Sequence, residues 1–430
     1  MRRSALNFRS APAKAPARSF LARLGPGLIT GASDDDPSGI ATYSQVGSQF
    51  GLGLLWTILF SYPLMSGIQE VSAQVGRVTG HGLAMGLRKH FPPWVLYGAL
   101  GLLLLANTIN IGADIGAMGA ALHLLVGGPL LVYVVGFGIF CLGLQILVPY
   151  RKYVPYLKWL CLGLLTYVGI MFVVKVPWPA VARATFIPHF PMTRAALTAI
   201  VAILGTTISP YLFFWQASEE VEEQELDPAE QALLKAPEQG LAQLGAMRAD
   251  TWLGMAFSNV VAFFIILTAA VVLNAHGVKD IQTSSQAAEA LRPVAGRFAF
   301  LLFSLGILGT GLLAVPVLAG ASAYAVAEAR GWPVGLGRKP LEARGFYAVI
   351  GVSTLVGVGL NAVHLDPVRA LFLSAVLNGV VAAPIMVMIM VLASRRSVMG
   401  RFTLSPRLKL LGWGATAVMA AVTVGMFATL

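Results

Sequence analysis

The sequence predicts an all-α membrane protein with about eleven transmembrane helices, and three observations support this prediction. First, 57% of the 430 residues are hydrophobic and only 11% are charged, whereas a soluble domain carries about 25% charged residues. Second, apolar runs of about 20 residues, long enough to cross a bilayer as helices, recur along the chain. Third, if these runs alternate in direction, 23 of the 30 Lys and Arg residues fall on one side, as the positive-inside rule expects. The composition excludes a cytosolic enzyme, a disordered chain and a secreted module.

The apolar runs predict both the spans and their orientation. The predicted spans lie near residues 21–47, 54–76, 94–124, 130–148, 156–175, 195–217, 249–273, 296–326, 346–363, 368–394 and 407–429. With this count, the N-terminus is cytoplasmic and the chain is a multi-pass protein of the cell membrane. Residues 1–20 are basic and rich in Ala and Pro, which predicts a short mobile cytoplasmic tail. Residues 21–430 are expected to form a single transmembrane domain.

The net charge of +11 is interpreted as a topology signal, so no nucleic-acid partner is expected. The expected partners are the lipid bilayer and a transported solute, and no cofactor is expected. The chain contains no HExxH or GxSxG motif and no convergent set of His and carboxylate residues, so an enzyme is not expected. The sequence leaves a monomer and an unknown oligomer open.

The DDDPSG segment of span 1, residues 34–39, places three consecutive carboxylates at membrane depth. An ionised carboxylate at the bilayer centre costs at least about 2.5 kcal/mol on insertion scales, so the triplet indicates a functional site. Pro37 lacks a backbone donor, and Gly39 tolerates unwound backbone. We therefore expect span 1 to break between about Ser33 and Gly39, where irregular backbone must line a cavity or be buried in protein.

Span 6 has a similar interruption, in which Gly205, Thr206, Thr207, Ser209 and Pro210 separate two apolar stretches. Spans 1 and 6 are five spans apart, and a unit with an odd number of crossings must repeat in inverted orientation. Paired breaks in two inverted halves are typical of the substrate site of a secondary transporter. The predicted repeats cover about residues 21–175 and 195–394, with an appended span at 407–429.

A carboxylate beside unwound backbone carbonyls predicts a cation site, because hard cations take oxygen ligands. Successive helical residues point about 100° apart, so three neighbouring aspartates cannot all contact one ion. Asp36, next to the break, is the expected direct ligand. Asp34 and Asp35 are expected to attract the ion, to bind its waters or to line an entry path.

The chain resembles the NRAMP family of divalent-metal transporters. The matching pieces are GPGLITGASDDDPSGIATYSQVGSQFGLGLLW, IQEVSAQVGRVTGHGLA and IGADIGAMGAAL, in spans 1, 2 and 3. The family motif Asp-Pro-Gly-Asn reads Asp36-Pro37-Ser38-Gly39 here, and span 6 is similar to the helix that carries the family motif Met-Pro-His. The resemblance implies a LeuT-like inverted repeat with helices 1 and 6 unwound at mid-membrane. It also implies inward transport of divalent metal, usually coupled to protons.

The resemblance also implies the residues of a metal site. These are Asp36, the backbone carbonyl of Ser33, the position of Gly39, and Thr206 and Ser209 in span 6. Asn378 in span 10 is a further candidate ligand, with a polar helix-packing role as the alternative.

Departures from the family pattern change the expected metal. Gly39 replaces the ligand asparagine, Ser209 replaces a thioether methionine, and Tyr211 replaces the histidine after the proline. Thioether sulfur favours late transition metals, whereas oxygen ligands suit Mg²⁺ and Mn²⁺. Gly39 is also expected to widen the site for a mostly hydrated Mg²⁺, and Tyr211 is expected to lie outside the direct ligands. The chain is thus similar to the NRAMP-related magnesium transporter branch, and we expect transport of Mg²⁺ with Mn²⁺ as a co-substrate.

Proton coupling is expected to be weak or absent. All six histidines lie outside spans 1 and 6, and a second family histidine in span 6 is replaced by Gln216. Histidine is the side chain that titrates near physiological pH without help. In span 3, Asp114 is either a proton relay or a carboxylate capped by Asn107 or Asn110, and the acidic residue that the family has one turn later is replaced by Ala117.

Several interpretations remain open at this point. The acidic segment Glu219–Glu230 after span 6 is either a solvated helical extension or a low-affinity cation vestibule on the exit path. The function could also be that of a proton-coupled Mn²⁺/Fe²⁺ importer of the usual NRAMP type, an amino-acid or organic-cation transporter on the same fold, or a channel. The aspartate triplet would repel a substrate carboxylate, and paired broken helices favour alternating access over a channel.

Overall fold

The computed structural model describes residues 26–148, 152, 164–190, 192–281, 283–363 and 366–429. These residues form helices and connecting turns, with no strand among them. The predicted tail at 1–20 and residues 156–163 of the fifth predicted span lie outside the described residues.

The described helices follow the predicted spans closely. In chain order they are α1 (Pro26–Asp34), α2 (Pro37–Phe50), α3 (Trp56–Thr79), α4 (Leu83–His90), α5 (Pro93–Val126), α6 (Leu130–Leu147), α7 (Leu165–Gly169), α8 (Trp178–Phe186), α9 (Arg194–Thr207), α10 (Pro210–Leu226), α11 (Gly240–Val272), α12 (Ser284–Glu289), α13 (Arg292–Ala295), α14 (Ala299–Arg330), α15 (Arg344–Leu360), α16 (Pro367–Ser394), α17 (Arg396–Met399) and α18 (Pro406–Ala428). Seven helical segments in the described part of the chain are long and apolar enough to cross a membrane. The count of eleven spans remains a prediction.

Spans 1 and 6 are both broken, as predicted, and each break is only two residues long. Asp35 and Asp36 separate α1 from α2, and Ile208 and Ser209 separate α9 from α10. The break in span 1 is shorter than the predicted stretch from Ser33 to Gly39. The reason is that a proline follows each break at the first helical position, where its fixed φ suits a helix and its missing N–H is not needed. The second half-helix therefore begins at once.

The two broken spans run in opposite directions through the bundle. Gln45 near the end of α2 donates a hydrogen bond to Asp280 Oδ1 (3.0 Å), and we call this the Asp280 end. Arg77 near the end of α3 pairs with carboxylates of α10, which defines the opposite Arg77 end. The α1–α2 pair runs toward the Asp280 end, whereas α9–α10 runs toward the Arg77 end. The breaks therefore lie at mid-bundle in segments of inverted orientation, as the predicted inverted repeat requires.

Glycines allow the half-helices to pack closely on their neighbours. A Cβ atom on Gly31 of α1 would overlap the backbone of Gly254 on α11. On the other broken span, a Cβ atom on Gly205 of α9 would overlap the backbone of α16 at Ala375 and Gly379. Close backbone approach of this kind is common where helices pack inside a membrane. This close contact holds α1 against α11 and α9 against α16, so the half-helix that precedes each break is fixed in place.

Candidate functional site

Asp36 ends the break in span 1 and caps the helix that follows. Its backbone is extended (φ −67°, ψ 171°), and its Oδ1 accepts hydrogen bonds from the Gly39 backbone N–H (2.8 Å) and from Ser38 Oγ (2.6 Å). Such a cap satisfies donors that the first helical turn leaves unpaired. The side chain is buried, with 1% of the residue exposed. The cap fixes the carboxylate and leaves Oδ2 available to other groups.

Two polar side chains from other spans lie beside the second oxygen of Asp36. Asn110 of α5 donates from Nδ2 to Oδ2 at 3.2 Å, and the hydroxyl of Tyr211 lies 3.4 Å from the same oxygen. The Tyr211 hydroxyl is also 3.3 Å from the backbone carbonyl oxygen of Ser33. Tyr211 therefore connects the two groups of span 1 that were predicted to bind metal. It contacts the predicted ligand Asp36, and its place outside the direct ligands stays a prediction.

Gly39 brings the two breaks together. A Cβ atom at Gly39 would lie 3.1 Å from Thr206 Oγ1 and 3.3 Å from the ring of Tyr43. Thr206 is buried and belongs to the last turn of α9. Thr206 and Tyr43 therefore lie against Gly39, and the glycine allows α2 to approach α9. That Gly39 widens the site stays a prediction.

Ser209 and Asn378 differ in how their polar atoms are used. Ser209 Oγ lies 2.8 Å from the Gly205 carbonyl and 2.9 Å from the Thr206 carbonyl, so it donates its proton to the last turn of α9. Asn378 of α16 is 1% exposed, and neither atom of its amide has a hydrogen-bond partner among the described residues. The next residue, Gly379, packs on α9. Buried amide atoms without partners are costly, and this marks Asn378 as a group with unused binding capacity.

Asp34 and Asp35 contact α11. Ser258 Oγ lies 2.6 Å from Asp34 Oδ2 and 3.2 Å from Asp35 Oδ1. The other oxygen of each carboxylate has no hydrogen-bond partner in the described part of the chain. Asp34 and Asp35 therefore share Ser258, whereas Asp36 contacts Asn110 and Tyr211.

Asp114 is fully buried one helical turn after Asn110 on α5, and both of its oxygens are without a hydrogen-bond partner among the described residues. The interpretation of Asp114 as a carboxylate capped by a nearby asparagine is wrong. Asn107 instead bonds to the Leu318 carbonyl (3.3 Å) and Ser322 Oγ (2.9 Å), while Asn110 bonds to Asp36.

Gln216 occupies the position where the resemblance implies a histidine. Its Oε1 accepts from Gln69 Nε2 at 2.8 Å, and its Nε2 donates to Thr251 Oγ1 at 2.8 Å and to Glu220 Oε1 at 3.4 Å. No group of three or more His, Cys, Asp or Glu residues that could hold a metal ion occurs in the described ranges.

The acidic segment Glu219–Glu230 is buried at its start and more exposed toward its end. Glu220 is fully buried and pairs with the guanidinium of Arg77. Glu223 and Glu230, whose side chains are 38% and 36% exposed, pair with the same guanidinium, the latter at 2.6 Å. The interpretation as a solvated extension is wrong for Glu220, because a cation from α3 pairs with this buried carboxylate and holds the end of α10 in place.

A second contact of the acidic segment involves α14. Glu222 accepts hydrogen bonds from the Tyr324 hydroxyl and from the Leu336 backbone N–H, the latter at 2.7 Å. The acidic segment thus joins α3, α14 and the loop after α14 at the Arg77 end.

The Asp280 end of the bundle contains a large cavity. A cavity of about 780 Å³ lies there, lined by residues that include Gln45 and Asp280. A much smaller cavity, lined in part by Ala41, shares Ile281 and Val368 with the larger one. Ala41 lies on α2, which begins at the break. An apolar layer that includes Ile281 and Val368 therefore separates the large cavity from the part of the bundle that holds Asp36.

The sequence did not single out Asn110 as a neighbour of Asp36, and it missed Tyr43, Ser258 and Ser374. Asn110 lies four residues before Asp114, on the same helical face, which is a signal that could have found it. Ser258 is a polar residue in an apolar run. Which of these residues contacts the break depends on how α5, α11 and α16 pack, and a single sequence does not contain that information.

Residues 27–429 match the family named Nramp, described as natural resistance-associated macrophage protein-like. The chain belongs to the Nramp family. The match covers nearly the whole sequence, so it includes both breaks and every candidate site residue. With the apolar helices described above, it establishes a multi-pass membrane protein.

Solved structures with a similar fold come from several transporters. A histidine-to-alanine mutant of the Eremococcus coleocola manganese transporter has a TM-score of 0.77 at 19% identity, covering 96% of this chain and 88% of that chain. Mhp1, a nucleobase-cation-symport-1 family transporter, has a TM-score of 0.61 at 17% identity, covering 95% and 90%. MhsT in complex with L-phenylalanine has a TM-score of 0.60 at 15% identity, covering 95% and 98%. The predicted LeuT-like helical fold is confirmed.

Proposed function

We propose that this Nramp-family chain is a secondary transporter that carries divalent metal cations, Mg²⁺ and Mn²⁺, into the cell. The observation that carries the proposal is the environment of Asp36. One fixed carboxylate lies at the meeting point of two broken helices, beside the Ser33 carbonyl, and no described Lys or Arg forms an ion pair with it. A buried carboxylate without a cation is unfavourable unless a cation arrives.

The donor set around the breaks supports a hard cation. Asp36 Oδ2, the Ser33 carbonyl and the Tyr211 hydroxyl lie together, and each could coordinate a cation through its oxygen atom. Asn378 adds an amide whose atoms are unused among the described residues. Oxygen ligands with retained water suit Mg²⁺ and Mn²⁺, whereas softer metals prefer sulfur. Ser209, where the family has methionine, removes the sulfur ligand.

Weak or absent proton coupling is part of the proposal. The neutral side chain of Gln216, held by Gln69 and Thr251, takes the place of a titratable histidine. Asp114 is the remaining candidate for a proton relay, since both of its oxygens are without partners in the described part of the chain. A test is metal uptake into proteoliposomes that contain a pH-sensitive dye. We expect Mg²⁺ and Mn²⁺ uptake with little internal acidification. Metal-dependent acidification that disappears in Asp114→Asn would overturn this part.

The distribution of the Lys and Arg residues and the position of the large cavity support one orientation of the chain in the membrane. We infer that the N-terminus and the Arg77 end face the cytoplasm of the cell, and that the Asp280 end faces outward. The large cavity at the Asp280 end would then be an external vestibule, while the acidic segment closes the inner side. We further infer repeats at about 21–175 and 195–394 with an appended span at 407–429.

An amino-acid substrate is the second candidate, because the MhsT structure of similar fold contains L-phenylalanine. The carboxylate of an amino acid would lie against Asp34, Asp35 and Asp36, and like charges repel at such short range. We therefore favour the metal. Uptake of an amino acid, unaffected by Mg²⁺, would reverse this choice.

A further inference from the structure

Asn110 is a buried carboxamide in direct contact with the oxygen of Asp36 that faces away from the helix cap. Its Nδ2 donates to Asp36 Oδ2 at 3.2 Å, and its Oδ1 accepts from Ser374 Oγ at 2.7 Å. The side chain of Asn110 is fully buried, and Ser374 is 1% exposed. The break before α2 is thereby joined through one amide to α5 and α16, which are far apart in sequence.

In this structure the nitrogen of the Asn110 amide, and not its oxygen, faces Asp36. An N–H donor beside a carboxylate stabilises its negative charge. A cation on the same oxygen would repel that donor, because the hydrogen carries a partial positive charge. A half-turn about the last side-chain bond exchanges the nitrogen and oxygen of a carboxamide. After such a turn, Asn110 would present Oδ1, a ligand that hard cations accept.

Ser374 allows this turn without leaving a polar atom unpaired. Its hydroxyl lies 2.7 Å from Asn110 Oδ1 and 2.7 Å from the Leu371 carbonyl, although it has one proton to donate. With the proton on the Leu371 side, the hydroxyl oxygen can accept from Asn110 Nδ2. Buried polar groups without partners are costly, so a hydroxyl that can donate or accept makes both orientations of the amide acceptable.

We propose that Asn110 is a ligand of the transported cation and supplies, from span 3, the carboxamide that is absent at Gly39. A Cβ atom at Gly39 would meet Thr206 and Tyr43, so an asparagine does not fit there without displacing them. Ser374 acts as the positioning residue that permits the turn of the amide. This inference rests on the proposed function, because it assumes that a divalent cation binds at Asp36.

The test is the metal preference of Asn110→Cys, measured by calorimetric titration of the purified protein with Mg²⁺, Mn²⁺ and Cd²⁺. A sulfur ligand favours Cd²⁺, so direct contact predicts a rise of about tenfold in the Cd²⁺/Mn²⁺ affinity ratio. The matched control is Asn107→Cys, one turn earlier on the same helix and bonded to Leu318 and Ser322. That control should keep the wild-type ratio.

Two further variants complete the test. Ser374→Ala keeps Asn110 in place but removes its partner, and we expect weaker binding of all three metals with an unchanged ratio. Asp36→Asn tests the underlying function. If Asn110→Cys lowers or preserves the affinity for every metal alike, the inference is wrong while metal binding stands. If Asp36→Asn binds metal as the wild type does, the proposed site itself is wrong.

Discussion

Two regions of this protein concentrate carboxylates in or against the helix bundle, and they differ in whether a basic side chain pairs with the carboxylates. In the acidic segment Glu219–Glu230, three carboxylates share the guanidinium of Arg77. At the break in span 1, Asp34, Asp35 and Asp36 have hydroxyl, amide and backbone N–H partners, and no described Lys or Arg pairs with them.

The difference indicates which region is structural and which is functional. A buried charge is tolerated when it is paired, and its removal from a pair is strongly unfavourable. The acidic segment has its cation built in, so it fixes α10 to α3 permanently. The break has no such cation among the described residues, so its negative charge is neutralised only when a mobile cation binds. The predictions below test this contrast, from the largest expected effect to the smallest.

Asp36→Ala should abolish metal uptake, with a loss of more than about 100-fold, because the only charged group expected to bind the ion directly is removed. Uptake into proteoliposomes at equal protein density measures the effect. Glu342→Gln, an exposed carboxylate at the Arg77 end, serves as the control and should transport normally. Wild-type uptake by Asp36→Ala would mean that the break is structural.

Arg77→Gln should destabilise the fold by about 3 kcal/mol, because it leaves buried Glu220 without its cation. Thermal unfolding in detergent measures the loss. Arg292→Gln is the matched control, since that arginine forms an exposed pair with Glu289 and such pairs contribute about 0–1 kcal/mol. Equal stability of both variants would contradict the assigned role of the acidic segment.

Ser209→Met should shift the metal preference toward Cd²⁺ by about tenfold, since it restores a soft sulfur atom next to the break in span 6. Competition of Cd²⁺ against Mn²⁺ uptake is the measurement, and Ser209→Ala controls for the lost hydroxyl. An unchanged preference in the methionine variant would show that position 209 does not face the ion.

Glu223→Gln should have the smallest effect, less than about 1 kcal/mol on unfolding. The side chain is 38% exposed, and Arg77 keeps Glu220 and Glu230 as partners. The same thermal measurement applies. A loss as large as that of Arg77→Gln would mean that the three carboxylates do not share the guanidinium as described.

The sequence predicts the two breaks better than it predicts the residues that pack around them. The breaks can be predicted from Pro37 and Pro210, because proline is favoured at the start of a helix and disfavoured in its interior. Asp36 follows from its charge and position. The close approach of Gly39 to Thr206 was not predicted, since it depends on how two distant helices pack. Asn110 was recognised as polar, but its contact with Asp36 is a property of the packed bundle.

The most direct test of the central claim is a calorimetric comparison of the purified wild type and Asp36→Asn, each titrated with Mg²⁺, Mn²⁺ and Cd²⁺. The substitution keeps the shape of the side chain and removes its charge. The account predicts that the wild type binds Mg²⁺ and Mn²⁺ and that Asp36→Asn binds neither. Equal binding by both proteins, or a wild type that binds Cd²⁺ while ignoring Mg²⁺, would contradict it.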